Sequence, residues 1–244
     1  MHQLRLMAAV SLLVLLCTGC WDRVEINRQA FVIAVGIDLA PQGESGEGKE
    51  SGDLHHRPPR FLMSTEIAIL RALNQQTGGV ALFPPELTKP AIVLAGTGRT
   101  LFAIERLLAS RMSRRVLWSH VKTVVVGEAA AREYGLFPIM DFLTRDVQFH
   151  RRIRLAIAEG EAYPFLETTM LKDTFSGDYI ANVLDPHGNT GRTINVTLNQ
   201  LDGRLHESGN ALVPRVKLGD GEVQTSGAGV IKQGKLVAWL SDLE

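Results

Sequence analysis

The chain has 244 residues, 45% apolar and 21% charged, enough hydrophobic material for one large or two modest cores. Lys plus Arg and Asp plus Glu both number 26, so the formal net charge is zero, which argues against a general nucleic-acid-binding role. The two cysteines, Cys17 and Cys20, lie so near the start that loss of a leader would leave no disulfide, and a domain of this size needs none.

The chain opens with a short cationic start and an unbroken apolar run over 6–16, then Cys17-Thr18-Gly19-Cys20. Such a run is too short to cross a bilayer, which takes about 20 residues. It is apolar on every face, unlike the helix of a soluble protein. Residues 1–19 therefore read as a secretory signal peptide, with small residues before the cut. Cleavage after Gly19 would leave Cys20 first, its thiol free to accept a diacylglycerol group.

Residues 29–37 are β-branched and apolar, the texture of a buried strand. Residues 41–60 are rich in Gly, Glu, Ser, His and Pro and predict a flexible loop. Strand character resumes over 61–70, where Ser64 and Glu66 imply partial exposure. Residues 74–90, broken by Gly and Pro, predict an irregular connection. A strand over 91–95, a turn at Gly96-Thr97-Gly98 and a helix capped by Thr100 follow, with Leu101, Ile104, Leu107 and Leu108 on its apolar face. Then come a strand over 121–126, helices over 128–134 and 136–144, and a strand over 153–158. Short helices over 163–171 and 175–184 precede turn-rich 186–192, an unassigned segment over 193–201 and a loop through Gly209. Strands over 211–213, 228–231 and 236–239 close the chain, the last two joined by a Gln233-Gly234 hairpin turn. The fold class is α+β, a mixed β-sheet with packed helices in residues 20–175. A smaller second α/β domain is expected over 176–244.

Gly96-Thr97-Gly98-Arg99-Thr100 sets glycines before a helix start, where backbone N–H groups can cradle an anion. It has neither P-loop spacing nor a third glycine, so a strand-to-helix turn is the better reading. The histidines beyond the leader (His55, His56, His120, His150, His187 and His206) include no two-ligand helical pair, and no metal or cofactor is expected. Arg111, Arg114 and Arg115 read as the exposed side of a helix C-terminus, and Arg151, Arg152 and Arg154 form a second basic cluster. Solvated faces are the plain interpretation of both; anionic lipid headgroups or an acidic partner are the functional one. There is no nucleophile elbow and no His-Glu-x-x-His, and Asp141, Asp146, Asp173 and Asp178 are scattered. No catalytic residue is assigned, and no enzyme is expected.

Cys20-Trp21-Asp22-Arg23-x-Glu25-Ile26-Asn27, with a strand closing on Gly36-Ile37-Asp38, resembles the start of the Ger(x)C proteins. These are the lipoprotein C subunits of the nutrient-germinant receptors of endospore-forming bacteria. Gly98-x-Thr100-Leu101-Phe102, His120-x-Lys122, and Val124-Val125-Val126-Gly127-Glu128 resemble successive later blocks. So do Asp141-Phe142-Leu143-x-Arg145-Asp146, Arg154, Ala158-Glu159-Gly160, Pro214 and the segment 227–240. The resemblance implies a lipoprotein acylated at Cys20 and held on the outer face of the spore inner membrane. It implies integral-membrane A and B subunits as partners and a response to small nutrients. It also implies a third domain after Trp239-Leu240, which a sequence ending at Glu244 does not include. A solute-binding lipoprotein serving a transporter is the alternative, and an exported cell-wall hydrolase a more distant one.

Overall fold

Residues 30–37, 124–126 and 155–158 are apolar without alternation, and such runs are stable only when both faces of the strand are covered. The computed structural model covers them in that way; it describes residues 2, 3, 5, 7, 26–41, 60–69, 90–168, 173–185, 194–219 and 222–241. The strands are β1 (Gln29–Leu39), β2 (Phe61–Ala68), β3 (Ala91–Gly98), β4 (Arg115–Leu117), β5 (Thr123–Gly127), β6 (Arg154–Ala158), β7 (Ala211–Gly219), β8 (Glu222–Lys232) and β9 (Lys235–Leu240). The helices are α1 (Leu101–Ser110), α2 (Glu128–Glu133), α3 (Phe137–Arg145), α4 (Tyr163–Glu167), α5 (Ser176–Val183) and α6 (Leu198–Ser208). One mixed sheet runs β3-β2-β1-β5-β6-β7-β8-β9, with β4 paired to the start of β1. β1, β5, β6 and β7 are mutually parallel, flanked by antiparallel β2–β3 on one side and β8–β9 on the other.

Side chains alternate across the sheet, so successive residues of one strand feed opposite layers. Val124 and Val126 of β5, with Leu155 and Ile157 of β6, pack under α1, α2, α3 and α6. Val125, Ala156 and Ala158 face the other way, under α4 and α5. The first layer is deep and aromatic, with Phe142 edge-on to Phe102, Trp118 and Phe149. The second is lined by small residues, which lets α4 and α5 approach the strands closely.

Three sequence expectations change. Gly96 and Gly98 belong to β3, opposite Met63 and Phe61, and the turn is Arg99-Thr100. A Cβ on Gly98 would stand 2.7 Å from Ile104 Cγ1, so the glycines serve the close packing of α1 on the strand. The segment through 208 is not loop but the helix α6, which Thr197 and Gln200 close with a capping box. The first arginine cluster does not ride on one helix: Arg111 caps α1, whereas Arg115 opens β4. Thr100 does cap α1, accepting from Ala103 N, and Gln233-Gly234 does turn the last hairpin.

The boundary expected at 175/176 is crossed by the sheet, because Ile157 and Ala158 pair with Arg215 and Val216. The loops expected over 41–60 and 74–90, the end of the helix expected over 163–171 and the turns over 186–192 fall largely outside the described residues.

Candidate functional site

Ala34, Gly36 and Asp38 share one face of β1, and Ser64 and Glu66 of β2 stand beside them, Ser64 opposite Gly36 and Glu66 opposite Ala34. Ser64 and Glu66 were expected to be partly exposed; they are buried, as is Asp38. The reason is what covers them. Asp38 accepts from the backbone N–H groups of Ala162 (2.6 Å) and Tyr163 (2.9 Å), where α4 begins. Glu66 accepts from Ser176 N and Gly177 N, both at 2.8 Å, where α5 begins. A helix start presents unpaired N–H groups, and a carboxylate is their strongest partner. Each buried acid thus fastens one helix to the sheet.

Burial pushes the Asp38 carboxyl up to about 6, against the two N–H groups that favour its charge, and Glu161 adds repulsion. Burial also raises Glu66, again against its bonds to Ser176 and Gly177, with Asp178 adding repulsion. Glycines make room for both fastenings. A Cβ on Gly127 would overlap Asp38 Oδ1, and one on Gly177 would stand 2.9 Å from Ile33 O. Thr123 Oγ1 donates to Gly177 O at 3.0 Å, which ties α5 to β5 as well.

The carboxyl ends of the parallel strands, where open α/β sheets commonly bind ligands, gather several of the motif residues. Glu128 N donates to Gly160 O at 2.8 Å. The Glu128 carboxylate accepts from Arg132 Nε (2.8 Å) and Trp239 Nε1 (3.1 Å). Burial works to raise Glu128, but these two donors and the guanidinium charge hold it below the usual range. Glu159 pairs with Arg215, whose guanidinium lies 5.1 Å from the centroid of the Trp239 ring. The carboxylates here are engaged by donors, so the chemistry of this end is joining: β5, β6, β7 and β9 are held together.

The opposite end collects the basic residues. Arg28, Arg114, Arg115, His120, Lys122, Arg151 and Arg152 lie at the starts of β1, β4, β5 and β6. Phe31 and His120 stack edge-on with centroids 4.7 Å apart, so His120 packs against β1. Arg151 pairs with Asp202 and Arg154 with Asp185. Among the described residues no three His, Asp or Glu side chains converge as a metal site would need. Cys20 lies outside the described residues, as do His55, His56 and His187. The sequence signal for Asp38 and Glu66 as fastening residues was an acid inside each of two largely apolar strands.

The family model described as "Spore germination protein N-terminal domain" matches residues 22–218. Among curated chains, YfkR of Bacillus subtilis strain 168 is 30% identical over 69% of this chain and 39% of its own length. Spore germination protein YndF of the same organism is 28% identical over all of this chain and 61% of its own. Spore germination protein KC, also from that strain, is 25% identical over 63% and 33%. The chain thus spans between about a third and three fifths of these relatives. The crystal structure of the GerBC protein is 17% identical over 74% of this chain and 48% of that one, with a TM-score of 0.40, too low to carry a fold assignment. The family match runs through the Asp38 and Glu66 fastenings and both ends of the parallel strands, and the chain belongs to the spore germination family that this N-terminal domain defines, the Ger(x)C proteins.

Proposed function

We propose that the protein is the membrane-anchored C subunit of a nutrient-germinant receptor, acylated at Cys20 and held on the outer face of the spore inner membrane. Integral-membrane A and B subunits are its partners in this reading. The carrying observation is the family match, which begins at residue 22, two positions after Cys20. No helix among the described residues is long and apolar enough to cross a membrane; this reading assigns attachment to the acyl group at Cys20. A single acyl chain binds reversibly and two hold stably, so a diacylglyceryl cysteine suffices. Anchoring confines the sheet to the membrane plane and raises its effective concentration beside the partners.

Two measurements test this. Fractionation of spores carrying Cys20→Ala should show the protein lost from the inner membrane; full retention with normal germination would sink the anchor. Spores lacking the gene should fail to respond to one class of amino acid or sugar, yet still germinate with calcium dipicolinate. Unchanged responses across the panel would remove the receptor assignment. A cleft of about 450 Å³, lined in part by Glu66, Val93, Leu166 and Asp173, is the observation behind a second reading, a solute-binding lipoprotein. Calorimetry of the purified chain against the same nutrients separates the two, since direct affinity is required only by the second.

A further inference from the structure

We propose that the amino-terminal end of the parallel strands is a docking face for an anionic phospholipid surface. This rests on the reading that Cys20 carries the anchor, and adds to it how the sheet stands on the membrane. Parallel strands β1, β5 and β6 all begin at this end, so their leading segments come together although far apart in sequence. Gln29 pairs with Arg115, and Trp118 N donates to Gln148 Oε1 at 3.2 Å, which joins the start of β1, strand β4 and the loop before β6.

Arg28, Arg114, Arg115 and Arg152 of this surface form no ion pair among the described residues, and only Arg114 is partly covered. Among the nearby acids, Asp202 and Asp185 hold Arg151 and Arg154, Asp178 faces Lys122, and Asp146 accepts from Gln148 N at 2.9 Å and lies against Glu105. Two apolar side chains stand out beside the arginines, Ile26 at 63% exposure and Val147 at 96%. Exposed apolar residues beside arginines that form no ion pair among the described residues fit an interface whose partner has phosphates outside and hydrocarbon beneath. Position supplies the second argument. Cys20 precedes Ile26 by six residues, at most about 20 Å of extended chain, so an acyl group there brings this end of the sheet to the headgroups.

The test uses the full chain with Cys20→Ala, which removes the acyl route while the apolar leader stays constant. Co-sedimentation is measured with vesicles of phosphatidylcholine alone and of an equal mixture with phosphatidylglycerol. Binding to the mixed vesicles should be tighter by at least about ten-fold, and the difference should shrink with added salt. Arg114→Glu, Arg115→Glu and Arg152→Glu together should abolish the preference, and Arg115→Glu or Arg152→Glu alone should weaken it. Lys217→Glu, past the carboxyl end of the parallel strands on β7, is the charge-matched control for the single substitutions and should leave it in place. Composition-blind binding overturns the proposal and frees these arginines for an acidic protein partner. A preference that survives the arginine substitutions overturns it equally. The intact mass of the wild-type chain reports the anchor separately: an unmodified Cys20 with arginine-dependent preference removes the anchor and keeps the face. An acylated Cys20 with composition-blind binding does the reverse.

Discussion

Asp38 shows how one side chain can hold a layer of the fold. Its folded carboxyl sits near 6, above the ordinary value of 3.8, so between those values the native state binds the proton more tightly than the unfolded chain. The contribution of this group to stability therefore rises as pH falls from about 6 toward 4, by up to ~1.4 kcal/mol per pH unit. Thermal melts at pH 7 and pH 5 should show wild type gaining about 1 kcal/mol more than Asp38→Asn over that step; parallel profiles would refute a raised pKa. Gly127 is coupled to the same carboxylate, since a Cβ there would overlap Asp38 Oδ1. Gly127→Ala should cost about 1–3 kcal/mol by overpacking. Combined with Asp38→Ala it should cost less than the sum of the two, which a double-mutant cycle in urea would measure. Neither effect is visible in sequence, because Asp38 and Gly127 meet only when β1 and β5 pair.

Among elements, α6 is the one whose signals were present yet outweighed. Leu198, Leu201 and Leu205 recur on one face, and the end is a left-handed Gly209 at φ 71°. Against them stand Gly203 in mid-helix, where glycine costs about 1 kcal/mol, and a run of polar neighbours. The capping box decides the outcome by satisfying N–H groups that would otherwise be orphaned. Thr197→Ala should therefore lower stability by about 1 kcal/mol, seen as a lower urea midpoint with unchanged slope. No change in midpoint would mean that the apolar face alone holds the helix. The edge strand β3 is a different case, for its protection comes from elsewhere in the chain. Arg111 donates to Ala95 O at 3.2 Å and so blocks part of the edge to a passing strand.

At the scale of the molecule, the decisive feature is a sheet continuous from β3 to β9. Residues on both sides of 175 enter each layer: Val196, Leu201 and Ile231 join Val124 and Phe142 in one, and Ile180 and Val216 join Val125 and Ala156 in the other. A chain cut after 175 would expose the β6 edge and strip α5 from its sheet face. The piece 20–175 should therefore show no cooperative thermal transition, whereas 20–244 should unfold in one. Independent cooperative folding of the shorter piece would establish a boundary there.

The sequence by itself determined the α+β class, the central strands, the cap at Thr100 and the final hairpin. Each of these follows from local chemistry: periodicity, β-branching, a capping hydroxyl, a turn dipeptide that tolerates positive φ. It also carried the family blocks, because those are runs of neighbouring residues. Tertiary structure alone decided that Ser64 and Glu66 are buried, that 96–98 is strand, and that the strands after residue 210 extend the first sheet. Burial and pairing depend on what covers a residue from elsewhere in the chain. The two ends of the sheet belong to that second class, since charge gathers at them through parallel strand order and not through nearness in sequence.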